Sequence, residues 1–509
     1  MMIENALEAA PAQKSLSRGS MGTFELAFFV VAAAGPLLVV AGYAPLAIAL
    51  GGIGAPGAQL IAGIVLLLFS VGFTRMALAI KNPGAFYSYI GRSLGKPLGG
   101  ASALLALASY SAIAIGQLGA FASFANGTVK RLLGIDLPWP VFAIGALLIV
   151  AYLGHRRISF SAKVLGVALL AEVLILVILA VPVLVTGGGS DGITLEPFAP
   201  AALFSGGGVG AMFTIAFGAF VGFESTAVYA EEARNPRKTV PRATFLAIAF
   251  LSVFYAFMMW IIVVAFGKAG ALATATNDPT GMFFTATDKY VGHPATVVME
   301  ILLVTSAFAS TLAFHNTASR YLFTLGRERL LPTHLAATHP KNGSPWVSSL
   351  TQAILSLVVI VIFAVTGADP YLNLFLWLSS PAILGIVLLQ ALCSVAIIVF
   401  FRRNPRIRSA SAWSTVVAPV AATAGLGVAA YLIVVNFDLL TGRTGWANTG
   451  LILCVPLVFA VGLTTTLMMR KRHPEQYAQL IQYDPMSDRE GPANVPARAD
   501  VAVAPEPGS

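Results

Sequence analysis

Five carboxylates, Glu172, Glu224, Glu231, Glu232 and Glu300, stand inside or at the edges of long apolar stretches, where an ionised side chain has few natural partners. Glu172 lies in AKVLGVALLAEVLIL, about ten residues from either end of its stretch, too deep for so short a side chain to reach water. A charge at that depth costs at least a few kcal/mol in lipid, so the carboxyl must be protonated, paired or placed in a wet cavity. It is either a proton- or cation-binding group of a mechanism or a protonated side chain hydrogen-bonded to a neighbouring helix. Glu224, in AFVGFESTAVYAEE, follows Gly222 by two residues. It can cap a helix start, where an acid also meets the positive end of the dipole, and a cap released by protonation would double as a sensor or gate. Glu231 and Glu232 run into RNPRKTVPR, so Arg234, Arg237 and Arg242 are their expected partners in a solvated cluster worth about 0 to 1 kcal/mol per pair. Part of an inner gate is the second reading there. Glu300 is an interfacial hydrogen-bonded residue or a group facing a vestibule. Tyr110 and Gln117 share one helical face and either line a cavity or simply pack.

Two apolar stretches carry interruptions. FELAFFVVAAAGPLLVVAGYAPLAIAL contains Gly35-Pro36 in its middle. Pro36 has no N–H to give and its ring excludes the carbonyl four residues earlier, so Ala32 is expected to lose its helical partner. A break after Ala34 with Pro36 opening a second half-helix suits proline's place in a first helical turn. GGGVGAMFTIAFGAFVGFESTAVYAEE carries Gly218 and Gly222 around its centre, each costing about 1 kcal/mol against Ala in a helix. Freed backbone groups persist in lipid only where protein or a polar cavity satisfies them. A half-helix start offers N–H groups to an anion and a half-helix end offers carbonyls to a cation. A zwitterion needs both. A carboxylate is therefore expected near residues 36–39 and an ammonium near 31–34 and 217–219. Packing contacts and kinks are the alternative use of such Gly and Pro.

These residues must be positioned by membrane helices. Across 509 residues, 57% are hydrophobic and only 10% charged, and mean hydropathy is +0.82, far outside the soluble globular range. Twelve stretches long enough to cross a bilayer lie near 24–49, 57–80, 98–126, 138–154, 162–186, 204–230, 243–267, 293–319, 347–366, 371–401, 413–436 and 447–469. With both termini cytoplasmic, 26 of the 31 Lys and Arg fall on the cytoplasmic side, so the net charge of +9 reads as positive-inside bias and not as a nucleic-acid footprint. The interrupted stretches are the first and the sixth. An odd offset makes them cross in opposite directions, the pattern of an inverted repeat of five helices with a binding site at the midplane. Residues 1–23 form a polar leading segment with no cleaved signal peptide, 24–469 the transmembrane domain, and 470–509 a tail expected to be partly disordered. Cys393 and Cys454 fall inside predicted spans, which speaks against a disulfide framework, and the six His show no metal-ligand spacing, so neither metal nor other cofactor is expected.

AFVGFES followed by AEEARNPRKTVPRA resembles the sixth span and following loop of the amino acid/polyamine/organocation superfamily of permeases. NPGAFYSYIGRSLGKPLG resembles that family's loop between spans two and three, and SAFASTLAFHNTASRYLFTLGRERLLP its eighth span and following segment. The resemblance implies an all-α polytopic fold of five-plus-five inverted helices, with helices 1 and 6 broken and two more at the end. It implies secondary transport by alternating access of an amino acid or small amine, proton-coupled or by exchange, with a polyamine or sodium-coupled amine as the alternative. By the same resemblance, substrate contacts come from Ala34, Gly35, Pro36 and Leu37 and from Phe217, Gly218, Ala219, Phe220 and Gly222. Many members carry a Gly-Ser-Gly motif where this chain has AAAGPLLVVAG. Several place a Lys in span five where alignment puts Glu172, so a carboxylate here would bind a proton or cation that a Lys replaces. Ala307, Ser310 and Thr311, on one helix face, resemble the sodium site of the wider fold. Glu172 and Glu224, with these three, are the expected ion- or proton-coupling residues. A membrane enzyme would bring an H-E-x-x-H or Asp-rich motif, a channel repeated pore segments, and a major facilitator a G-x-x-x-D-R-x-G-R-like loop. None of these patterns is present in the sequence. The expected partners are a small-molecule substrate, a proton or sodium ion and the bilayer of the cytoplasmic membrane.

Overall fold

A computed structural model describes residues 21–80, 85–155, 158–204, 207–224, 226, 233–340, 343–404 and 411–481. The chain begins with α1 (Thr23–Ala34), a π-helical turn (Leu38–Tyr43), α2 (Ala44–Gly51), α3 (Ala55–Ala79) and α4 (Ala85–Leu94). Next come α5 (Lys96–Leu133), α6 (Trp139–Gly154), α7 (Ile158–Val185), α8 (Pro200–Phe204) and α9 (Val209–Gly218). The second half runs through α10 (Pro236–Phe266), α11 (Lys268–Asn277), α12 (Met282–Tyr290), α13 (His293–Arg327) and α14 (Trp346–Val365). It ends with a π-helical turn (Pro370–Phe375), α15 (Leu376–Arg403), α16 (Ala418–Val435), α17 (Phe437–Thr441), α18 (Trp446–Arg472) and α19 (Pro474–Gln479).

Among the described residues nine helices are long and apolar enough to cross a membrane, and the shorter apolar helices Thr23–Ala32, Leu38–Gly51, Trp139–Gly154 and Val209–Gly218 stand beside them. The chain is thus a multi-pass helical membrane protein. Helix α5 is the axis of the bundle: 78% of its apolar window is buried, against 17% for the peripheral α18. Small residues allow that centrality, because they let backbones meet closely where lipid provides no hydrophobic drive between helices. A Cβ at Gly116 would sit 2.9 Å from Ser379 Oγ of α15, so the two helices touch where α5 has no side chain. Helix α5 packs on α13, α15 and α4, while α1 packs on α10, α13 and α7. The third stretch is longer than its hydropathy suggests, running to Leu133, because the polar last turn with Lys130 and Arg131 remains helical up to a left-handed Gly134.

The first interruption lies where the sequence puts it, but Ala32 keeps a partner. Gly35 turns left-handed (φ +60°) and its N–H reaches the Ala32 carbonyl at 3.1 Å, closing α1 with a tighter turn instead of leaving an orphan. The chain resumes helix at Pro36. The second interruption is wider: α9 stops at Gly218 and the backbone runs through turns to Glu224, with Gly222 at φ +113°. Glu231 and Glu232 lie outside the described residues. Near them, Met21 and Ala233 form an isolated bridge, with the Arg234 N–H on the Met21 carbonyl at 2.8 Å. The segment after 470 begins as ordered structure: α18 runs to Arg472, α19 follows, and Leu480 and Ile481 are buried. Residues 482–509 lie outside the described residues.

Candidate substrate and coupling site

At the first break the Glu172 carboxylate of α7 meets the start of the second half-helix. Its Oε2 accepts the Leu37 N–H at 3.1 Å and the Ser306 hydroxyl of α13 at 2.7 Å. Ser306 Oγ in turn accepts the Leu38 N–H at 3.3 Å, and the Val39 N–H returns to the Gly35 carbonyl at 2.9 Å. Glu172 therefore ties three segments together while being only 2% exposed. Gly35 is required by this crowding as well as by its φ, since a Cβ there would stand 3.3 Å from both Leu38 Cβ and Ser306 Oγ.

At the second break the carboxylate is local. Glu224 Oε2 accepts the Gly222 N–H at 3.2 Å, two residues back, and Oε1 accepts the Tyr110 hydroxyl of α5 at 2.5 Å. The turns between are held by successive short bonds, Phe220 N–H to Phe217 carbonyl and Val221 N–H to Gly218 carbonyl. Tyr110 stacks on Tyr321 with ring centres 5.1 Å apart, and Phe314 of the same helix closes over Gly222. Both break carboxylates are thus buried and hydrogen-bonded, as a polar group in hydrocarbon must be.

A cavity of about 380 Å³ descends to the second break, lined by Tyr43, Ile215, Gly218, Phe375 and Ile383 among others. Its walls are chiefly apolar, with Thr214, Asn373, Ser379, Ser380 and Thr441 as polar points and Arg443 as the one charged lining residue among the described residues. Of the residues expected to meet substrate, Gly218 lines this cavity. Ala34, Gly35, Pro36, Leu37, Phe217, Ala219, Phe220 and Gly222 are buried beside the breaks and are absent from its lining. An aromatic layer borders the cavity: Tyr43 stacks on Phe375 at 5.2 Å, the Tyr43 hydroxyl donates to Gln117 Oε1 at 3.4 Å, and the Tyr371 hydroxyl to the Gly42 carbonyl at 3.0 Å.

Ala307, Ser310 and Thr311 are all fully buried on α13. Ser310 faces Gly35, its Cβ 3.5 Å from where a glycine side chain would begin, and the Thr311 hydroxyl donates to the Ala307 carbonyl at 2.8 Å. Glu300 is drawn away from both breaks by a 2.9 Å ion pair with Arg131 of α5. Ser306, Tyr43 and Tyr255 escape a reading of the sequence. Ser306 alone had a signal, one helical turn before Ser310 on the same face. At the helix ends, exposed charges form ordinary surface pairs. The Lys130 ammonium, bonded at 2.7 Å, holds the Asp136 carboxyl below the usual carboxylate range, and the bond to Glu196 raises Lys268 above the usual lysine range.

The model of the amino acid permease family matches residues 28–479. The chain belongs to the amino acid permease family. The permease is similar to the branched-chain amino acid permease BcaP of Bacillus subtilis (strain 168), at 23% identity over 437 residues, 79% of this chain and 85% of that one. The protein of the same name from Lactococcus lactis subsp. cremoris (strain MG1363) is 26% identical over 320 residues, covering 59% of the permease and 66% of the relative. A methylthioribose transporter of B. subtilis matches at 23% over 371 residues, 69% and 74% of the two chains. The permease is accordingly a membrane transporter of amino acids, and an enzymatic role has no support in family or relatives.

Proposed function

We propose that the permease carries a neutral amino acid with a branched or other medium apolar side chain across the cytoplasmic membrane by alternating access about the two breaks. The observation that carries this reading is the descent of a largely apolar cavity to Gly218, with no carboxylate in its lining among the described residues. A polyamine would need acidic groups along its length. Glu300 is paired with Arg131, while Glu172 and Glu224 are hydrogen-bonded at the breaks and do not line the cavity. The branched-chain permeases among the relatives point the same way.

In this reading residues 24–469 form the transporter domain, flanked by cytoplasmic segments 1–23 and 470–509. The nine long helices are joined by a first crossing made of Thr23–Ala32 and Leu38–Gly51, a fourth made of Trp139–Gly154, and a sixth begun by Val209–Gly218. That makes twelve crossings, with the breaks five crossings apart as an inverted repeat requires. Ala34 to Leu37 and Phe217 to Gly222 supply backbone groups to the substrate, and Glu172 and Glu224 take up the coupling proton. Sodium at Ala307, Ser310 and Thr311 is the second reading, favoured by their burial against Gly35.

Uptake of labelled amino acids and amines into proteoliposomes tests this, with a proton gradient, a sodium gradient or neither. Accumulation of leucine, isoleucine or valine driven by the proton gradient is expected. Accumulation driven by sodium alone would move coupling to the α13 triad, and no uptake above empty vesicles for any compound would overturn the transport reading.

A further inference from the structure

Every N–H at the start of the half-helix after Pro36 is already taken by this chain. Pro36 has none, that of Leu37 goes to Glu172, that of Leu38 to Ser306 and that of Val39 to the Gly35 carbonyl. A helix start is where an incoming carboxylate would bind. Here the carboxylate belongs to the protein and comes from 135 residues away. A second observation concerns Tyr255 of α10. It is fully buried on a helix packed against α7, and its hydroxyl has no hydrogen-bond partner among the described residues.

We propose that Glu172 is a tethered competitor for the substrate's own carboxylate, which gains the Leu37 N–H and the Ser306 hydroxyl only when Glu172 leaves them as a neutral acid. This rests on the transport reading above and adds how proton and substrate are linked. Two carboxylates cannot both stay ionised against one N–H and one hydroxyl in a buried site. Arrival of the amino acid therefore draws one proton from solution onto Glu172. The charge of the set is conserved: one carboxylate anion before, one after, with the proton on the displaced group. The Tyr255 hydroxyl, lacking a partner, is the berth for that neutral carboxyl. Competition of this kind also selects for substrates that carry a carboxylate, because an amine without one has nothing to exchange for Glu172.

The titratable groups on the helices packed against α7 leave this role to Glu172. Helix α10 presents Tyr255, with Arg237, Lys238 and Arg242 in its opening turns. Helix α12 carries Asp288, Lys289 and Tyr290, of which Asp288 pairs with His293 and Tyr290 bonds the Ala265 carbonyl. On α13, Glu300 is paired with Arg131 and His315 with Ser349, and Arg320 and Arg327 lie further along. On α1, Glu25 bonds the Gly22 N–H at the helix start.

The test uses the full-length permease in lipid vesicles with two probes, L-leucine and isoamylamine, which is leucine without its carboxylate. If the uptake panel selects another amino acid, that compound and its decarboxylated amine take their place. In the parent, leucine binding should weaken about tenfold per pH unit on the alkaline limb, the slope of one linked proton, and isoamylamine should show no such slope. Glu172→Gln should abolish the leucine slope. Tyr255→Phe should weaken leucine binding about tenfold, about 1.4 kcal/mol, and leave isoamylamine unchanged. An infrared band of a newly protonated carboxyl should appear when leucine is added to the parent and be missing in Glu172→Gln. Equal slopes for the two probes in the parent, a leucine slope that survives in Glu172→Gln, or equal losses for both probes in Tyr255→Phe would overturn the proposal while leaving transport intact. A parent that carries no amino acid at all would instead overturn the transport reading.

Discussion

The two helix breaks use the same chemistry with partners drawn from opposite distances along the chain. At Gly222 the acid is Glu224, two residues on, holding the N–H of its own turn and the hydroxyl of Tyr110. At Pro36 the acid is Glu172, from another helix, fastened to a half-helix and to Ser306 on a third element. The bond from Glu224 to Gly222 travels with its break when the backbone moves, while the Tyr110 bond ties that break to α5. At Pro36 no part of the contact is local, so any displacement of the half-helix must part it from α7 or α13. The first break is thus the one whose acid is joined to it wholly by contacts between distant segments.

Substitutions that separate the two breaks should rank accordingly. Glu172→Ala has the largest expected effect: it strands the buried Leu37 N–H at a cost of about 1–3 kcal/mol and abolishes proton-driven accumulation. Thermal unfolding in detergent and vesicle uptake measure the two consequences, and accumulation at the parent's level would remove Glu172 from coupling. Gly35→Ala comes next. Its left-handed backbone alone costs about 1–2 kcal/mol, and the new Cβ presses on Ser306 Oγ, so uptake should fall together with the melting temperature. Gly222→Ala carries similar backbone strain but meets only Phe314 at 3.4 Å, so it should lower the melting temperature and alter coupling less than Gly35→Ala does. The reverse order would show that the second break carries the exchange.

Tyr110→Phe is milder, removing one bond from Glu224 while the Gly222 N–H remains. A loss of about 0.5–1.5 kcal/mol, the ordinary net worth of one hydrogen bond, is expected in thermal unfolding, with the parent's uptake specificity retained. Lys268→Ala should do least. Its pair with Glu196 is half-exposed at the start of α11, and neither uptake nor unfolding temperature should change measurably.

Much of the fold is legible in the sequence. Pro36 and the paired glycines declare their interruptions because the missing N–H and the conformational freedom of glycine act on the chain's own backbone. The rescue of Ala32 by Gly35 is harder to foresee, since it depends on a left-handed turn that glycine permits but does not oblige. Glu224's bond to Gly222 is equally local. Its second partner, Tyr110, lies 114 residues away and is visible only once α5 is packed. Ser306 is the clearest omission. A serine in a membrane helix usually bonds the carbonyl one turn back, as Thr311 does, and the place of Ser306 on the face of Ser310 does not tell that it instead holds a carboxylate.

By itself the sequence determines that this chain lives in a bilayer, where its helices fail, and that Glu172 and Glu224 stand within apolar stretches where a carboxyl needs a partner or a proton. These follow from composition, from backbone chemistry and from the cost of charge in hydrocarbon, none of which requires knowing a neighbour. Only the tertiary structure decides that Glu172 sits on the half-helix begun at Pro36, that Ser306 completes the contact, and that the buried Tyr255 hydroxyl has no partner among the described residues. The reason is physical. In lipid both the outward and the inward faces of a helix are apolar, so the amphipathic pattern that orients a soluble helix is absent. The packing register is left to small residues and scattered hydrogen bonds far apart in the chain.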